Sequence, residues 1–272
     1  MKRLILTAII CAAALGLYAH AAEIDTIKAR KDTVKHGYHI FFDKKKPAVD
    51  SALMGDTTKR KYHKEPGFSY GITFARFDLG LATLVDNGSF KLSPQNQFLN
   101  YRSWKTCNVA FDVFQMGYRF NSSFKIYAAG GFDWTLIRLR NNITIQRGTP
   151  TLTYTTDNIN YDKNRFSASY FRIPLSFDFR TSDDNFGTPY HFVFGPEFGI
   201  LLDGRVKQIS DQNGKQKFDG GYHFAKYRYG AVARVGHGII GIFAKYYFND
   251  MFQDSPAQKG LKNFSFGFTV GF

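Results

Sequence analysis

Across residues 261–272, LKNFSFGFTVGF, apolar and small uncharged residues alternate without a break. Phe264, Phe266, Phe268, Val270 and Phe272 share one parity, and Asn263, Ser265, Gly267, Thr269 and Gly271 share the other. A period of two puts the first set on one face of a β-strand. A half-wet strand of a soluble protein carries charges on its polar face, whereas this face is small and neutral and the strand ends on an aromatic.

The same alternation recurs upstream. A first strand covers about 68–81, with Phe68, Tyr70, Ile72 and Phe74 on one face. Phe77, Leu79 and Leu81 then take the other parity, which predicts a bulge near Ala75. The second strand covers about 104–120, and the third starts at Phe124 and outruns the membrane at Arg138 and Arg140. The fourth sets Phe171, Ile173, Leu175, Phe177 and Phe179 against Tyr170, Arg172, Ser176, Asp178 and Arg180. The fifth sets Phe192, Phe194, Phe198, Ile200 and Leu202 against His191, Glu197, Gly199, Asp203, Arg205 and Lys207. Pro174 and Pro196 predict bulges there, because proline withholds a ladder hydrogen bond. The sixth strand spans about 226–235 and the seventh about 240–248, before the closing strand at 261–272.

Connections are short after the second, fourth and sixth strands and long after the others. Even strand number, short periplasmic turns and longer extracellular loops are the layout of a bacterial outer-membrane barrel. The predicted fold is therefore all-β, an eight-stranded antiparallel transmembrane β-barrel over 67–272. Volume decides which face points out. An eight-stranded interior barely accommodates its own side chains, so the Phe-rich face must meet lipid and the Gly, Ala, Ser and charged face must line the lumen.

The predicted lumen charges are Lys125, Asp133, Arg172, Asp178, Arg180, Glu197, Asp203, Arg205, Arg228, Arg234 and Lys245. They make either a polar pathway or a salt-bridged plug; the narrow bore favours the plug, since isolated buried charges are costly.

The N-terminus, MKRLILTAIICAAALGLYAHAAEID, has Lys2 and Arg3 before an apolar run and Ala19-His20-Ala21 before a cut, the pattern of a cleaved signal peptide over 1–21. Ile10 ahead of Cys11 argues against lipidation. No other stretch reaches the roughly 20 apolar residues that a helical span needs. Phe 29 and Tyr 16 give an aromatic content of 17%, which suits lipid-facing strands with interfacial girdles. Cys107 has no partner once the leader is gone, so no disulfide framework is expected. Formal charge is +14, and loss of Lys2 and Arg3 leaves +12. Such charge favours anionic partners, here outer-membrane lipid and lipopolysaccharide. Export and the absence of a binding motif argue against nucleic acid.

Residues 22–66 lack sustained alternation and carry basic runs, the pattern of a flexible periplasmic extension. Thr26, Thr33, Ser51 and Thr57 each follow an Asp and precede an apolar residue or Thr, resembling the O-glycosylation sequon of Bacteroidetes. Asp-Thr pairs also suit flexible polar segments without modification.

The pieces AAGGFDW, YFRIPLSFDF, FGPEFGILLDGRVK and KYRYGAVARVG resemble Bacteroidetes outer-membrane β-barrel proteins of the PorT-like family over about 100–272. That resemblance implies an eight-stranded outer-membrane barrel and, for the PorT branch, an accessory role in type IX secretion and gliding with a periplasmic or secretion-system partner. The closing aromatic strand also resembles the signal read by the barrel-insertion machinery, with Phe268, Val270 and Phe272 as its residues. The leading expectation is a non-enzymatic barrel without an open pore, structural or binding at the surface through its long loops or recruiting a partner at its periplasmic end; the type IX accessory role is the alternative, and a lipid-modifying enzyme is a further one. It needs a nucleophile and base near the outer rim, and His191, His223 and His237 have no identifiable Ser-acid companions. The chain is therefore expected to be non-enzymatic, with no cofactor or metal.

Glycosylation has a direct readout. Intact-mass spectrometry of protein from its native host is expected to exceed the mass of the unmodified mature chain, with glycans at Thr26, Thr33, Ser51 and Thr57; an unmodified mass in a glycosylating host removes the idea.

Overall fold

The computed structural model describes residues 66–72, 76–182 and 188–272. The predicted signal peptide 1–21, all but the last residue of the predicted extension 22–66, and the four candidate glycosylation sites lie outside the described residues.

The strands are β1 (Gly67–Ile72), β2 (Phe77–Asp86), β3 (Cys107–Arg119), β4 (Phe124–Arg138), β5 (Ile143–Ile145), β6 (Tyr154–Thr156), β7 (Lys163–Arg180), β8 (Tyr190–Ser210), β9 (Gly214–Gly220), β10 (Tyr227–His237), β11 (Ile240–Tyr247) and β12 (Leu261–Val270). β2, β12, β11, β10, β8, β7, β4 and β3 pair in that order, and β3 pairs back to β2, closing an antiparallel barrel. β12 closes the ring on β2, from Leu261↔Asp86 to Val270↔Phe77. The predicted first strand is thus split in two: β2 pairs with residues 107–111 of β3, and β1 with residues 114–119.

Outward residues are large and apolar, such as Leu79 50%, Phe194 52%, Ile242 58% and Phe268 69% exposed. Aromatic belts border this surface at both ends. At the end with short turns, rings pass from Tyr118 to Phe120, Phe124, Phe179 and Phe194 with centroids 4.7–5.6 Å apart. At the loop end Tyr229, Phe248, Tyr246 and Phe264 form a second chain. Amphipathic rings collect where hydrocarbon gives way to headgroups.

Two expectations about regularity need correction. Pro174 and Pro196 do not create bulges: the β7–β8 ladder keeps one register from Pro174↔Glu197 to Phe177↔Phe194, merely skipping pairs between. The register shifts fall at Asp112/Phe114 and Ser169/Tyr170 instead. The closing residue also departs from its parity. β12 ends at Val270, Gly271 adopts φ +92, and Phe272 stacks on the buried His191 at 5.0 Å, over Gly236 and Gly241. A left-handed φ is strained for other residues but not for glycine. Phe272 therefore turns into the mouth of the barrel rather than joining Phe268 on the outer face.

The long loops are not merely polar connections. β4, β7 and β8 continue beyond the apolar belt, and there the interior itself becomes apolar. Phe166 stacks on Phe224 at 4.5 Å, within a core that includes Leu99, Tyr101, Ile137, Leu139, Ile143, Ile145, Leu152, Val206, Phe252 and Leu261. The β5–β6 hairpin and β9, which no alternation announced, belong to this cap. Polar ties span it: Asn164 donates to the Ile143 carbonyl at 2.7 Å, Gln208 to the same carbonyl at 3.1 Å, and the Leu152 amide to Ser255 Oγ at 2.9 Å.

Asp86, at the loop end of β2, organises the next connection: its Oδ2 accepts from the Ser93 amide and hydroxyl, both at 2.7 Å, and from Asn96 Nδ2 at 2.9 Å. Burial alone raises its pKa, but these donors outweigh it and hold the carboxyl below its ordinary value. With a depressed folded pKa, the stabilisation is present above the unfolded value of about 3.9 and lost as pH falls through the folded value. Asp86→Ala is expected to loosen residues 87–99 by about 1.5–3 kcal/mol, read at neutral pH as faster limited proteolysis there; the difference from wild type should vanish in strong acid.

Candidate functional site

Inside the membrane belt, alternation sends every second residue of each strand into a narrow lumen, and among small and apolar residues such as Ala110, Ser176, Val232 and Ser265 that face carries a set of charges. Asp78, Asp112, Asp133, Glu197, Arg172, Arg228, Arg234 and Lys245 are all buried. With Thr269 of β12, they draw on all strands of the ring.

Arg172 sits at the centre. Its Nη1 lies 2.7 Å from Asp78 and 3.7 Å from Glu197, and its Nη2 lies 2.8 Å from Asp112. Asp78 also accepts from Arg234 Nη2 at 2.8 Å and from the Thr269 hydroxyl at 2.7 Å. Arg76, at the break between β1 and β2, reaches Asp112 at 2.9 Å. Toward the loop end, Asp133 lies between Arg228 at 2.8 Å and Lys245 at 2.5 Å, and accepts from Asn108 at 2.8 Å. Glu197 joins the two halves, lying 3.3 Å from Lys245 and accepting from the Tyr247 hydroxyl at 2.6 Å. The Arg228 guanidinium is sandwiched between Tyr170 and Tyr247, 3.8 and 4.2 Å from their ring centroids. Gly199 permits this: a Cβ there would sit 2.8 Å from Arg228 Nε.

Between this cluster and the apolar cap lies a cavity of about 20 Å³, bordered by Thr135, Tyr170, Arg228, Tyr247 and Asn263. That is room for about one water molecule. The bore is thus filled by paired charges below and hydrophobic packing above.

Of the charges expected in the lumen, Asp133, Arg172, Glu197, Arg228, Arg234 and Lys245 meet in this cluster. Asp178 lies apart at the turn end, where its carboxylate is 3.0 Å from His191. Lys125 and Arg180 are only half-buried and stand outside the fully buried set. Asp203 and Arg205 are corrections: their side chains are 36% and 43% exposed and pair with each other on the outer surface. The register shift at Ser169/Tyr170 inverts β8 parity between Leu201 and Asp203, which alternation read without the shift cannot reveal. Asp78, Asp112, Arg76 and Asn108 were missed. Arg76 and Asp78 alternate with Phe77 and Leu79, and Asp112 with Phe111, so their parity carried the signal.

The three histidines do not converge. His191 pairs with Asp178, His223 hydrogen-bonds the Thr149 carbonyl in the cap at 2.7 Å, and His237 pairs with Thr188 at 3.0 Å. Among the described residues no group of three or more His, Cys, Asp or Glu is placed to hold a metal ion.

A family model described as outer membrane protein beta-barrel domain matches residues 67–253. Among solved structures, the chain is similar to Ail, the attachment invasion locus protein of Yersinia pestis, solved in complex with the heparin analogue sucrose octasulfate. Identity is 14% and the TM-score 0.32, over 76% of this chain and 98% of that one. No curated protein matches the chain.

Arg172→Ala leaves Asp78 and Asp112 without a central partner. Breaking such a buried pair is expected to cost about 3–5 kcal/mol, whereas Arg205→Ala, on the exposed surface, should change little. The temperature at which the folded barrel loses its fast gel mobility measures both. Equal behaviour of the two variants would contradict the assignment of Arg172 to the buried core.

Proposed function

This chain belongs to the outer membrane protein beta-barrel domain family, and from that premise we propose that it is a non-enzymatic, non-conducting barrel whose working surface is the capped loop end, held outside the cell. The observation that carries this is the filled bore: Asp133, Arg172, Glu197 and Lys245 are essentially inaccessible, and the cap above them is packed with apolar side chains. A transport pathway needs exposed polar walls. A barrel closed in this way serves as a rigid mount, and the loops it orders have surface to offer a partner.

The PorT-like resemblance supports a second reading, an accessory to type IX secretion that recruits a partner at the periplasmic end. One structural feature favours it: β1 pairs with β3 along one edge, and its other edge has no strand partner among the described residues. Exposed strand edges are templates for strand addition. A secretion defect on deletion distinguishes this role from surface binding.

Two measurements test the primary reading. In planar bilayers, the purified protein should show no stable porin-sized conductance, and steady large channels would overturn the filled bore. On intact cells, protease should cut the cap around 211–226 while the turn end stays protected; the reverse pattern would place the loops in the periplasm.

A further inference from the structure

Just beyond the lipid-facing belt, the outer faces of β4, β7, β8 and β9 carry a row of like charges. Arg138 pairs across the ladder with Arg165, Arg165 with Lys207, and Lys207 with Lys217. Lys163 and Lys215 flank it one step further out, each opposite Ile209. Like charges directly opposite on neighbouring strands are destabilising, and here four stand in line. Among the described residues no carboxylate forms an ion pair with Arg165, Lys207 or Lys217, and Arg165 Nε, buried, has no hydrogen-bond partner. Burial and the charges of Lys163, Arg165, Lys215 and Lys217 push the Lys207 ammonium down to about 8.

The rows beneath explain what such a charge excess faces. One step toward the membrane come Leu136, Ser167 and Arg205; one step further come Val109, Trp134, Ser169 and Asp203. The serines are small between larger neighbours, and they leave a groove of about 520 Å³. Its lower wall, Val109, Trp134 and Leu136, continues the lipid-facing surface; its upper rim is Arg165 and Arg205. Asp203 also borders the groove, but its carboxylate is engaged by Arg205 at 3.4 Å, and Arg205 in turn is hydrogen-bonded to Asp219.

We propose that this groove holds a phosphorylated glycolipid of the outer leaflet, with an acyl chain against Val109, Trp134 and Leu136 and phosphates on the Arg138–Arg165–Lys207–Lys217 row. The apolar wall selects a lipid over a soluble polyanion, because a soluble ligand has nothing to place against it. Phosphate supplies the counter-charge that Arg165, Lys207 and Lys217 lack among the described residues, and guanidinium groups receive phosphate oxygens in a bidentate fork. The site rests on the surface-facing orientation proposed above, but its test uses purified protein, so the two can fail independently.

The chain has two tryptophans, and Trp104 is 88% exposed, so Trp104→Phe leaves Trp134 in the groove as the sole indole reporter. The protein is reconstituted in phosphatidylcholine vesicles containing bis-phosphorylated lipid A with brominated chains. Trp134 quenching is expected to exceed that from brominated phosphatidylcholine at equal mole fraction, and this preference should fall about 10- to 100-fold in Arg165→Gln/Lys207→Gln. Dephosphorylated lipid A should lose the preference in the unmutated cation row. That arm decides the matter even if the double variant does not fold, as judged by gel mobility before and after boiling. A preference that survives dephosphorylation, its absence in the parent protein, or complete displacement by a soluble sulfated oligosaccharide would overturn the proposal.

Discussion

The structure depends on the mutual neutralisation of charges inside a bore too narrow for bulk water. Eight strands fix the diameter, and Arg172, Arg234, Arg228 and Lys245 fill it, each within ion-pair distance of Asp78, Asp112, Asp133 or Glu197. No member is dispensable in the way a surface ion pair is, because any one left alone is a desolvated charge. The cluster also crosses strands distant in sequence, such as Asp78 with Arg234 and Asp133 with Lys245. It therefore bears on closure as well as stability, since its pairs cross the ring between strands that are not neighbours in the sheet.

Above the membrane the same sheet obeys the opposite rule. Within the belt, lipid outside demands apolar outward residues and leaves polar ones for the lumen. Past the belt, water outside allows Arg138, Arg165 and Lys207 to face out, and burial inside selects Phe166, Val206 and Phe224. β7 shows both regimes along one strand, with Phe166, Ala168 and Tyr170 inward at the loop end and Arg172, Ser176 and Asp178 inward further down. The inward chemistry of the strand changes at Tyr170.

That level gives the outer surface its own chemistry. The cation row stands one step beyond the serine-floored groove, so an apolar wall and a positive rim are stacked along the same strands. Behind this surface, the charged bore and the apolar cap fill the interior.

Much of this was legible in the sequence. Period two fixed the strand count, the outward aromatic face and the closing role of Leu261–Val270, because a lipid-facing strand has to alternate wherever it lies in the ring. The same parity pointed Asp133, Arg172, Glu197, Arg228, Arg234 and Lys245 inward, and applied to the first two strands it points Asp78 and Asp112 inward too. Tertiary structure alone decided the rest. A one-residue register shift at Ser169/Tyr170 sent Asp203 and Arg205 outside, and a left-handed Gly271 turned Phe272 inward. The apolar cap was hidden because Leu99 and Tyr101, Leu152, and Phe252 come from three different loops with no periodicity. The cation row was hidden because its members stand up to 79 residues apart, from Arg138 to Lys217, and only the ladder register brings them opposite one another. Alternation is a local consequence of the strand backbone; register and packing are properties of pairs of segments, which a pattern along one chain does not encode.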